Sequence, residues 1–521
     1  MAAATCLFMV AAPAQAQATY TNPILYADYS DPDVIRVGTD YYLVASSFHF
    51  SPGIPVLRSR DLVHWTIIGH VLPKLPFGPL YDMPGPHTLD DGISKPIGGT
   101  KYASGVWAPS IRHHDGKFWV YWATPDEGVF MATAVDPAGP WEPAVQVIAQ
   151  AGLEDPCPYW DEDGSAWLVH GKVGAGPLIL HRMAPDGRSV LDAGVLIAED
   201  RINLPVLEGP KLLRRNGWYY IFAPIGGVGT GPQAVGRARR IAGPYEWRVV
   251  LEPGTTPIQG PHQGGYVETP SGQGWFAHFN STGAFGRIVH LQPVVWKDDW
   301  PIIGRQIPDR TAGQPVASFA MPDTGNPPTA DRLQASDEFS APALGLQWSW
   351  NHNPDDGAWS LSARPGWLRL QALAAQQIVA ARNTLTQILQ GPASTVTARI
   401  DLGGMAEGQR AGLSLFGVRA GVDRRGARGR AQPHHALVRR RRDAGPRACG
   451  QDHRAPRRSE RRAERPLFVQ HGRQALHARR DPIWLSRFSW WKGSRPALFS
   501  FTRGQRGWID VDWVHVEIRE Y

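Results

Sequence analysis

The chain has 521 residues, is rich in Trp, Gly and Pro, and carries charge on only 19% of its residues. This length allows two domains, and an aromatic, turn-rich composition favours a β-rich protein. The formal net charge of +7 arises from residues 419–480, which hold 19 Arg against 3 Asp and 2 Glu, so the remainder of the chain is acidic and does not indicate nucleic-acid binding.

The N-terminal residues are typical of an exported protein. An apolar run from Ala2 to Ala12 precedes Ala14-Gln15-Ala16, a small-x-small pattern at which signal peptides are cleaved. We therefore predict a signal peptide over residues 1–18 and a periplasmic or extracellular location. No Lys or Arg precedes the run, which indicates a truncated or misassigned start. An Ala-rich N-terminus without a targeting role is the alternative. No other stretch is long and apolar enough to cross a membrane.

Residues 19–310 repeat one unit five times, in which a tight turn leads into a strand with aromatic residues. Such turns before short apolar strands predict β-hairpins. Five irregular all-β repeats of about 50 to 80 residues predict a five-bladed β-propeller. A β-sandwich is the alternative, but it would not explain the recurring unit. The five turns are Gly38-Thr39, Asp115-Gly116, Asp163-Gly164, Asn216-Gly217 and Ser271-Gly272.

The second half of the chain has a different organisation. Residues 311–335 are rich in Pro, Gly, Asp and Ala and predict a linker. Residues 336–521 contain short alternating strands that predict a β-sandwich, interrupted over residues 419–480 by an Arg-rich segment without Lys. A shift of reading frame that is corrected further on would produce this segment, and resequencing tests that hypothesis. A disordered basic insert and an anion-binding arm are the alternatives.

Three carboxylates precede the first strand of a repeat: Asp31, Asp155 and Glu208. In a propeller the first strands lie at the axis, so these acids are expected at equivalent repeat positions and around one pocket. Glu208 stands beside an apolar strand, where partial desolvation would keep it protonated near neutral pH, as a general acid requires. An ordinary solvated loop Glu is the alternative.

A series of short motifs in this order resembles glycoside hydrolase family 43, in its β-xylosidase and α-L-arabinofuranosidase branch. The resemblance covers residues 20–304 well and residues 337–417 and 488–521 more loosely, and it fails across the Arg-rich segment. It implies an all-β protein with a five-bladed propeller followed by a C-terminal β-sandwich. The motifs are Asn22-Pro23-Ile24, Asp31-Pro32-Asp33, Val106-Trp107-Ala108-Pro109, Glu154-Asp155-Pro156, Glu208-Gly209-Pro210 and Gly260-Pro261-His262-Gln263-Gly264-Gly265.

The resemblance also implies a role for each acid. Asp31 would be the general base that activates a water molecule, and Glu208 would be the general acid that protonates the leaving oxygen. Asp155 would be the pKa modulator that holds the acid in place. The family inverts the anomeric centre, which requires the acid and the base to stand about 6.5–9.5 Å apart so that a water fits between them.

Four further residues are candidates for binding substrate, and two of them, His262 and Arg287, match residues of the family. His262 would touch Asp155, a metal or a water in the channel, and Arg287 would contact sugar hydroxyls. Trp107 and Phe48 would form the apolar wall against a pentose ring. Each has a purely structural alternative: a satisfied buried histidine, an exposed strand arginine, or core packing. No cofactor is required by this chemistry. Calcium is found in the family, but the sequence contains no dedicated calcium loop.

The sequence therefore predicts an inverting exo-glycosidase that removes terminal xylose or arabinose from plant hemicellulose. Its partner would be a xylo- or arabino-oligosaccharide, with neither nucleic acid nor a membrane involved. A retaining fructosidase-type propeller is one alternative, although that class has Asn directly before the first Asp-Pro, where this chain has Ser30. A carbohydrate-binding protein without catalysis is the other.

Overall fold

The computed structural model describes residues 18–85, 98–174, 176–229, 231–327, 329–417 and 491–519, together with the two-residue strands Val438–Arg439, Gln470–His471 and Gln474–Ala475. Within these ranges the helices are four short 3-10 turns, at Pro79–Asp82, Gly283–Phe285, Asp356–Ala358 and Ile378–Ala380. No helix of the described residues could span a membrane. The predicted signal peptide, residues 1–18, and the Arg-rich segment of the frameshift hypothesis, residues 419–480, lie almost entirely outside these ranges. Both therefore remain predictions.

Between Asp33 and Ile303 the described chain forms five antiparallel sheets, each with four strands paired in sequence order, apart from Phe50–Ser51, which pairs elsewhere. Beyond this range, Arg305–Gln306 and Gly313–Gln314 extend the fourth sheet to six strands. We call these sheets blades I to V. Blade I comprises Asp33–Val37, Asp40–Val44, Gly53–Ser59 and Thr66–Leu72; blade II comprises Trp107–His114, Lys117–Thr124, Gly128–Ala134 and Val145–Ile148. Blade III comprises Leu153–Trp160, Ala166–Lys172, Leu178–Met183 and Val195–Ala198; blade IV comprises Lys211–Arg215, Trp218–Pro224, Gln233–Ala238 and Glu246–Leu251; blade V comprises His262–Glu268, Gly274–Ser281, Arg287–Lys297 and Trp300–Ile303.

The recurring turn of the sequence joins the first and second strands of every blade. Blade IV shows why these residues are needed. Asn216 and Gly217 have φ values of 50° and 72°. Asn and Gly tolerate this left-handed conformation, and two such residues in succession match the twist of a two-residue hairpin. The hairpins predicted from the turn-and-aromatic unit are therefore confirmed.

Apolar contacts between neighbouring blades join the five sheets into a ring. One buried cluster joins blades I and V through Leu43 and Trp275. The other four clusters join I to II, II to III, III to IV, and IV to V. Burial of aliphatic and aromatic side chains, each worth about 1.5–3 kcal/mol, explains why the interior strands of this region are so apolar.

The predicted linker is not a free tether, because much of residues 311–335 lies along the propeller. Gly313–Gln314 extends blade IV, and Ser318–Ala320 pairs with Thr19–Thr21. Further on, the amide of Asn326 donates to the carbonyl oxygens of Thr39 and Arg60. These contacts fix the position from which the second half of the chain starts.

The second half forms two packed sheets around a core that includes Trp348, Trp350 and Leu498. One sheet contains Trp359–Ser360, Leu368–Gln371, Ala393–Asp401 and Trp508–Arg519; the other contains Trp348–Asn351, Leu373–Ala374, Leu385–Gln387, Arg410–Phe416, Val438–Arg439 and Arg495–Thr502. The second sheet also takes in Phe50–Ser51 from the propeller, which pairs with Trp350 and Asn351. The predicted fold class, an all-β propeller followed by a β-sandwich, is confirmed.

Candidate active site

Each blade has one left-handed residue at the start of its first strand. The φ values are 54° at Asp31, 33° at Ala108, 57° at Asp155, 59° at Gly209 and 39° at Gln263. In four of the five blades the next residue is Pro. The pairing register shifts at the same point in blades II, III and V, as a β-bulge does. Such bulges re-aim side chains, and here they bring residues of several blades together near the axis.

The positions of these left-handed residues correct the expectation that all three acids are equivalent in the repeat. Asp31 and Asp155 do occupy equivalent positions, because each is the left-handed residue of its blade. Glu208 does not, because Gly209 adopts the left-handed conformation in blade IV. Glu208 therefore corresponds to Glu154 in blade III and to His262 in blade V. The reason is the Gly in Glu-Gly-Pro, which accepts positive φ more readily than Glu and so moves the acid back by one residue.

Asp31 is 4% exposed, and both of its carboxylate oxygens accept a hydrogen bond. The guanidinium of Arg287 donates to Oδ1 at 2.6 Å, and the hydroxyl of Ser46 donates to Oδ2 at 2.6 Å. The amide of Ala108 in turn donates to Ser46 Oγ at 2.7 Å, which leaves the hydroxyl proton for Asp31. The guanidinium places a positive charge against this carboxyl group, and the two hydrogen bonds fix its orientation. These contacts suit Asp31 to the role of a base that takes a proton.

Asp155 and Glu208 lie close together and have a different environment. Burial raises the pKa of Asp155 to about 7, and the charges of Glu208 and Asp31 act in the same direction. The amide of Gly209 donates to Asp155 Oδ2 at 2.7 Å, so the residue next to Glu208 fixes this carboxyl group. The side chain of Glu208 is 18% exposed, which gives it access to a substrate. Carboxylate oxygens of Asp155 and Glu208 lie within 4.8 Å of each other, so the two groups interact directly.

His262 contacts the acid rather than Asp155. Its Nε2 lies 3.0 Å from Glu208 Oε1, although the angle is not that of a regular hydrogen bond. The imidazole is fully buried, which excludes direct contact with a sugar in this conformation. The alternative suggested by the sequence, contact with Asp155, is not what the structure shows. The equivalence of Glu208 and His262 in neighbouring blades explains why their side chains meet.

Aromatic side chains line the same region. Trp107 is half-buried and contacts Phe48 edge to face, with ring centroids 6.3 Å apart. Phe48 is only 2% exposed, so its ring lies behind Trp107 and supports it. Trp491 of the second half of the chain is exposed and lies 6.4 Å from Trp107 on another side. Trp107 and Trp491 are therefore better placed than Phe48 to contact a sugar ring.

Comparison with known proteins agrees with this arrangement. The family model for glycosyl hydrolases family 43 matches residues 20–301, which is more than half of the chain. The chain belongs to glycoside hydrolase family 43. A second model, the β-xylosidase C-terminal concanavalin A-like domain, matches residues 336–445 of this glycoside hydrolase.

This family 43 enzyme is similar to several β-xylosidases and to an α-L-arabinofuranosidase. A putative β-xylosidase of Xylanibacter ruminicola is 47% identical over 75% of this chain and 70% of that protein. A β-xylosidase of Formosa agariphila is 32% identical over 96% of this chain and 90% of that protein. A non-reducing end α-L-arabinofuranosidase of Bacteroides ovatus is 30% identical over 69% and 66% of the two chains. Among solved structures, a BlXynB variant of Bacillus licheniformis has a TM-score of 0.74 at 25% identity, over 96% and 99% of the two chains.

Sequence reasoning missed three residues of this family 43 site: Ser46, Glu154 and Trp491. The sequence gives a signal for two of them. Ser46 stands two residues before Phe48, and Glu154 directly precedes Asp155 in a blade start. Trp491 stands eleven residues after the end of the Arg-rich segment, and nothing in the neighbouring sequence indicates the propeller.

The described metal-ligating side chains of this family 43 site do not converge at His262, where the sequence suggested a metal. Within the described residues, the single convergent group of three metal-ligating side chains is Glu154, Asp155 and Glu208, with ligand atoms within 4.8 Å of one another. Calcium takes six to eight oxygen ligands. Two of these three residues are acids assigned to the reaction, and His262 is not in the group. Three side chains supply fewer oxygens than calcium takes, so these residues alone do not complete a calcium site, and the calcium expected from the resemblance stays a prediction.

Proposed function

We propose that this family 43 enzyme is an inverting exo-glycosidase that removes terminal xylose or arabinose from hemicellulose. Asp31 is the general base that takes a proton from the attacking water. Glu208 is the general acid that protonates the leaving oxygen. Asp155 keeps the proton of the acid pair available and is fixed by the amide of Gly209.

This assignment rests on the different surroundings of Asp31 and Asp155. Arg287 and Ser46 donate to the two oxygens of Asp31, so this carboxyl group faces a positive charge and a hydroxyl donor. Burial and the charges of Glu208 and Asp31 raise the pKa of Asp155, which lies beside Glu208. A carboxyl group with a cationic partner and a second acid beside a carboxyl group of raised pKa, in one pocket, match the base and the acid of glycoside hydrolysis.

The sugar is inferred from the relatives, two of which are named β-xylosidases and one an α-L-arabinofuranosidase. Both sugars are therefore candidates. The test is release of phenol from phenyl β-D-xyloside and phenyl α-L-arabinofuranoside by the full chain. Glu208→Ala should lower release by about 10²–10⁴-fold, the usual contribution of a general acid. Glu268→Gln is the matched control, because Glu268 lies in blade V and pairs with Arg215.

The stereochemistry of the first product separates inversion from retention. Proton NMR of a fresh β-xyloside reaction should show α-xylose before mutarotation. Early β-xylose would favour the retaining alternative. Saturable binding of xylo-oligosaccharides without any release would favour a carbohydrate-binding protein.

We also propose that the protein is exported, on the strength of the Ala2 to Ala12 run and the Ala14-Gln15-Ala16 pattern. N-terminal sequencing of the protein from its host should begin near residue 18. A mature protein that retains Met1 would overturn this proposal.

A further inference from the structure

A short segment of the second half of the chain inserts into the propeller next to the base. Residues 491–494 directly precede the sandwich strand Arg495–Thr502. The amide of Gly493 donates to Asp28 Oδ2 at 2.9 Å, and the amide of Ser494 donates to the carbonyl of Ala284 at 2.7 Å. A Cβ on Gly493 would lie 2.7 Å from the Ala284 oxygen and from the Gly286 nitrogen. The backbones therefore meet without room for a side chain.

Lys492, in the middle of this segment, is 1% exposed. Its Nζ donates to the carbonyl oxygens of Ser46 at 2.8 Å and Asp28 at 3.2 Å, and lies 3.5 Å from Asp28 Oδ2. Burial lowers the pKa of Lys492 to about 8; Asp28 opposes the shift and Arg495 adds to it. A lysine placed so deeply requires compensating partners, and these are all propeller groups.

Ser46 is one hydrogen bond away from Asp31, and Asp28 is connected to Asp31 by two hydrogen bonds through Arg287. Ser46 donates its hydroxyl to Asp31 Oδ2. Asp28 Oδ1 accepts from the backbone amide of Arg287 at 2.9 Å, and the Arg287 guanidinium donates to Asp31 Oδ1. Although burial opposes it, Lys492 and the amides of Arg287 and Gly493 lower the pKa of Asp28. Lys492 thus lies behind both groups that hold the base.

We propose that Lys492 is a positioning residue for Asp31, acting through Ser46 on one oxygen and through Asp28 and Arg287 on the other. The second half of the chain then completes the active site of the propeller. This inference rests on the proposed function, because it assumes that Asp31 is the base. It assigns a role in the reaction to a residue that lies beyond the Arg-rich segment.

The test compares Lys492→Met with the wild type on the aryl glycoside that the wild type cleaves. We expect kcat to fall about 10- to 100-fold with KM changed by less than about 3-fold, because a displaced base slows the chemical step more than binding. The acidic limb of the kcat profile should move up by about 0.5 pH units or more, because a positive charge that favours the carboxylate has been removed.

Arg369→Gln is the matched control. Arg369 is a cation of the sandwich that donates to Asp510 at 2.8 and 2.9 Å, so its loss lowers stability without altering Asp31. It should leave kcat and the pH profile unchanged. Ser46→Ala, which removes one bond to Asp31, should shift the acidic limb in the same direction as Lys492→Met.

A folded Lys492→Met enzyme with the wild-type kcat and pH profile would overturn the inference. If Lys492→Met does not fold, the same readouts are taken on Lys492→Gln; failure of both to fold would assign Lys492 to folding alone and also overturn it. Failure of the proposed function is a separate result, since it would appear as absence of glycoside hydrolysis by the wild type or as full activity of Glu208→Ala.

Discussion

Asp155→Asn provides a test of the acid pair that does not depend on activity. Burial, Glu208 and Asp31 raise the pKa of Asp155 from 3.8 to about 7. Asn has nearly the same shape and can still accept the hydrogen bond from the amide of Gly209. The substitution therefore removes the titration and keeps the packing.

Proton linkage gives the direction in which the free energy of unfolding changes with pH. Between about pH 4 and 7 the folded state binds this proton and the unfolded state does not, so the free energy of unfolding falls as the pH rises. A difference of about 3 pKa units corresponds to about 4 kcal/mol, at about 1.4 kcal/mol per unit. The free energy of unfolding of Asp155→Asn should not fall in this way as the pH rises, because Asn does not titrate. Because part of this difference lies outside the measured range, the variant should gain about 3 kcal/mol relative to the wild type from pH 4.5 to pH 7.5, or about 10 °C in the melting temperature of a domain this size.

The assay is differential scanning calorimetry of both proteins at several pH values between 4.5 and 7.5. Asp115→Asn is the control, because Asp115 is an exposed turn residue whose loss should leave the pH dependence unchanged. Parallel melting curves for the wild type and Asp155→Asn across this range would refute the reasoning, as would a relative gain for the wild type at higher pH.

Two further predictions concern the supports of the base. Arg287→Ala removes the charged partner of Asp31 Oδ1, and steady-state kinetics should show a loss of about 10²–10³-fold in kcat/KM; a change of less than 3-fold would contradict the role of this ion pair. Gly493→Ala forces a Cβ against backbone atoms at 2.7 Å, so we expect a loss of about 1–3 kcal/mol by thermal unfolding. Unchanged unfolding of that variant would show that residues 491–494 are not docked as described.

The parts of the fold that depend on local sequence were predictable. A Gly or Asx turn followed by aromatic residues specifies a hairpin over about ten residues, and that unit occurs in all five blades. The acids were placed at the starts of blades because they directly precede the first strands. The offset of Glu208 was visible in Glu208-Gly209-Pro210, where Gly is the residue that accepts positive φ, but three acids before three strands suggested a simpler equivalence.

The parts that depend on contacts between distant residues were not predictable. Lys492 and Asp28 are separated by 464 residues and by the Arg-rich segment, and no local pattern connects them. Phe48 and Trp107 are both aromatic residues near a strand, and their sequence does not show that one lies behind the other. His262 was expected near the axis, but its neighbour depends on the offset of Glu208.

The central claim is that Glu208 protonates the leaving oxygen. The measurement that tests it most directly is the rate of Glu208→Ala relative to the wild type on aryl glycosides of the cleaved sugar that differ only in the leaving group. An acid matters most when the departing phenol is basic, so the variant should lose about 10²–10⁴-fold on a phenyl glycoside and far less on a dinitrophenyl glycoside. Equal losses on both substrates, or no loss on either, would contradict the assignment.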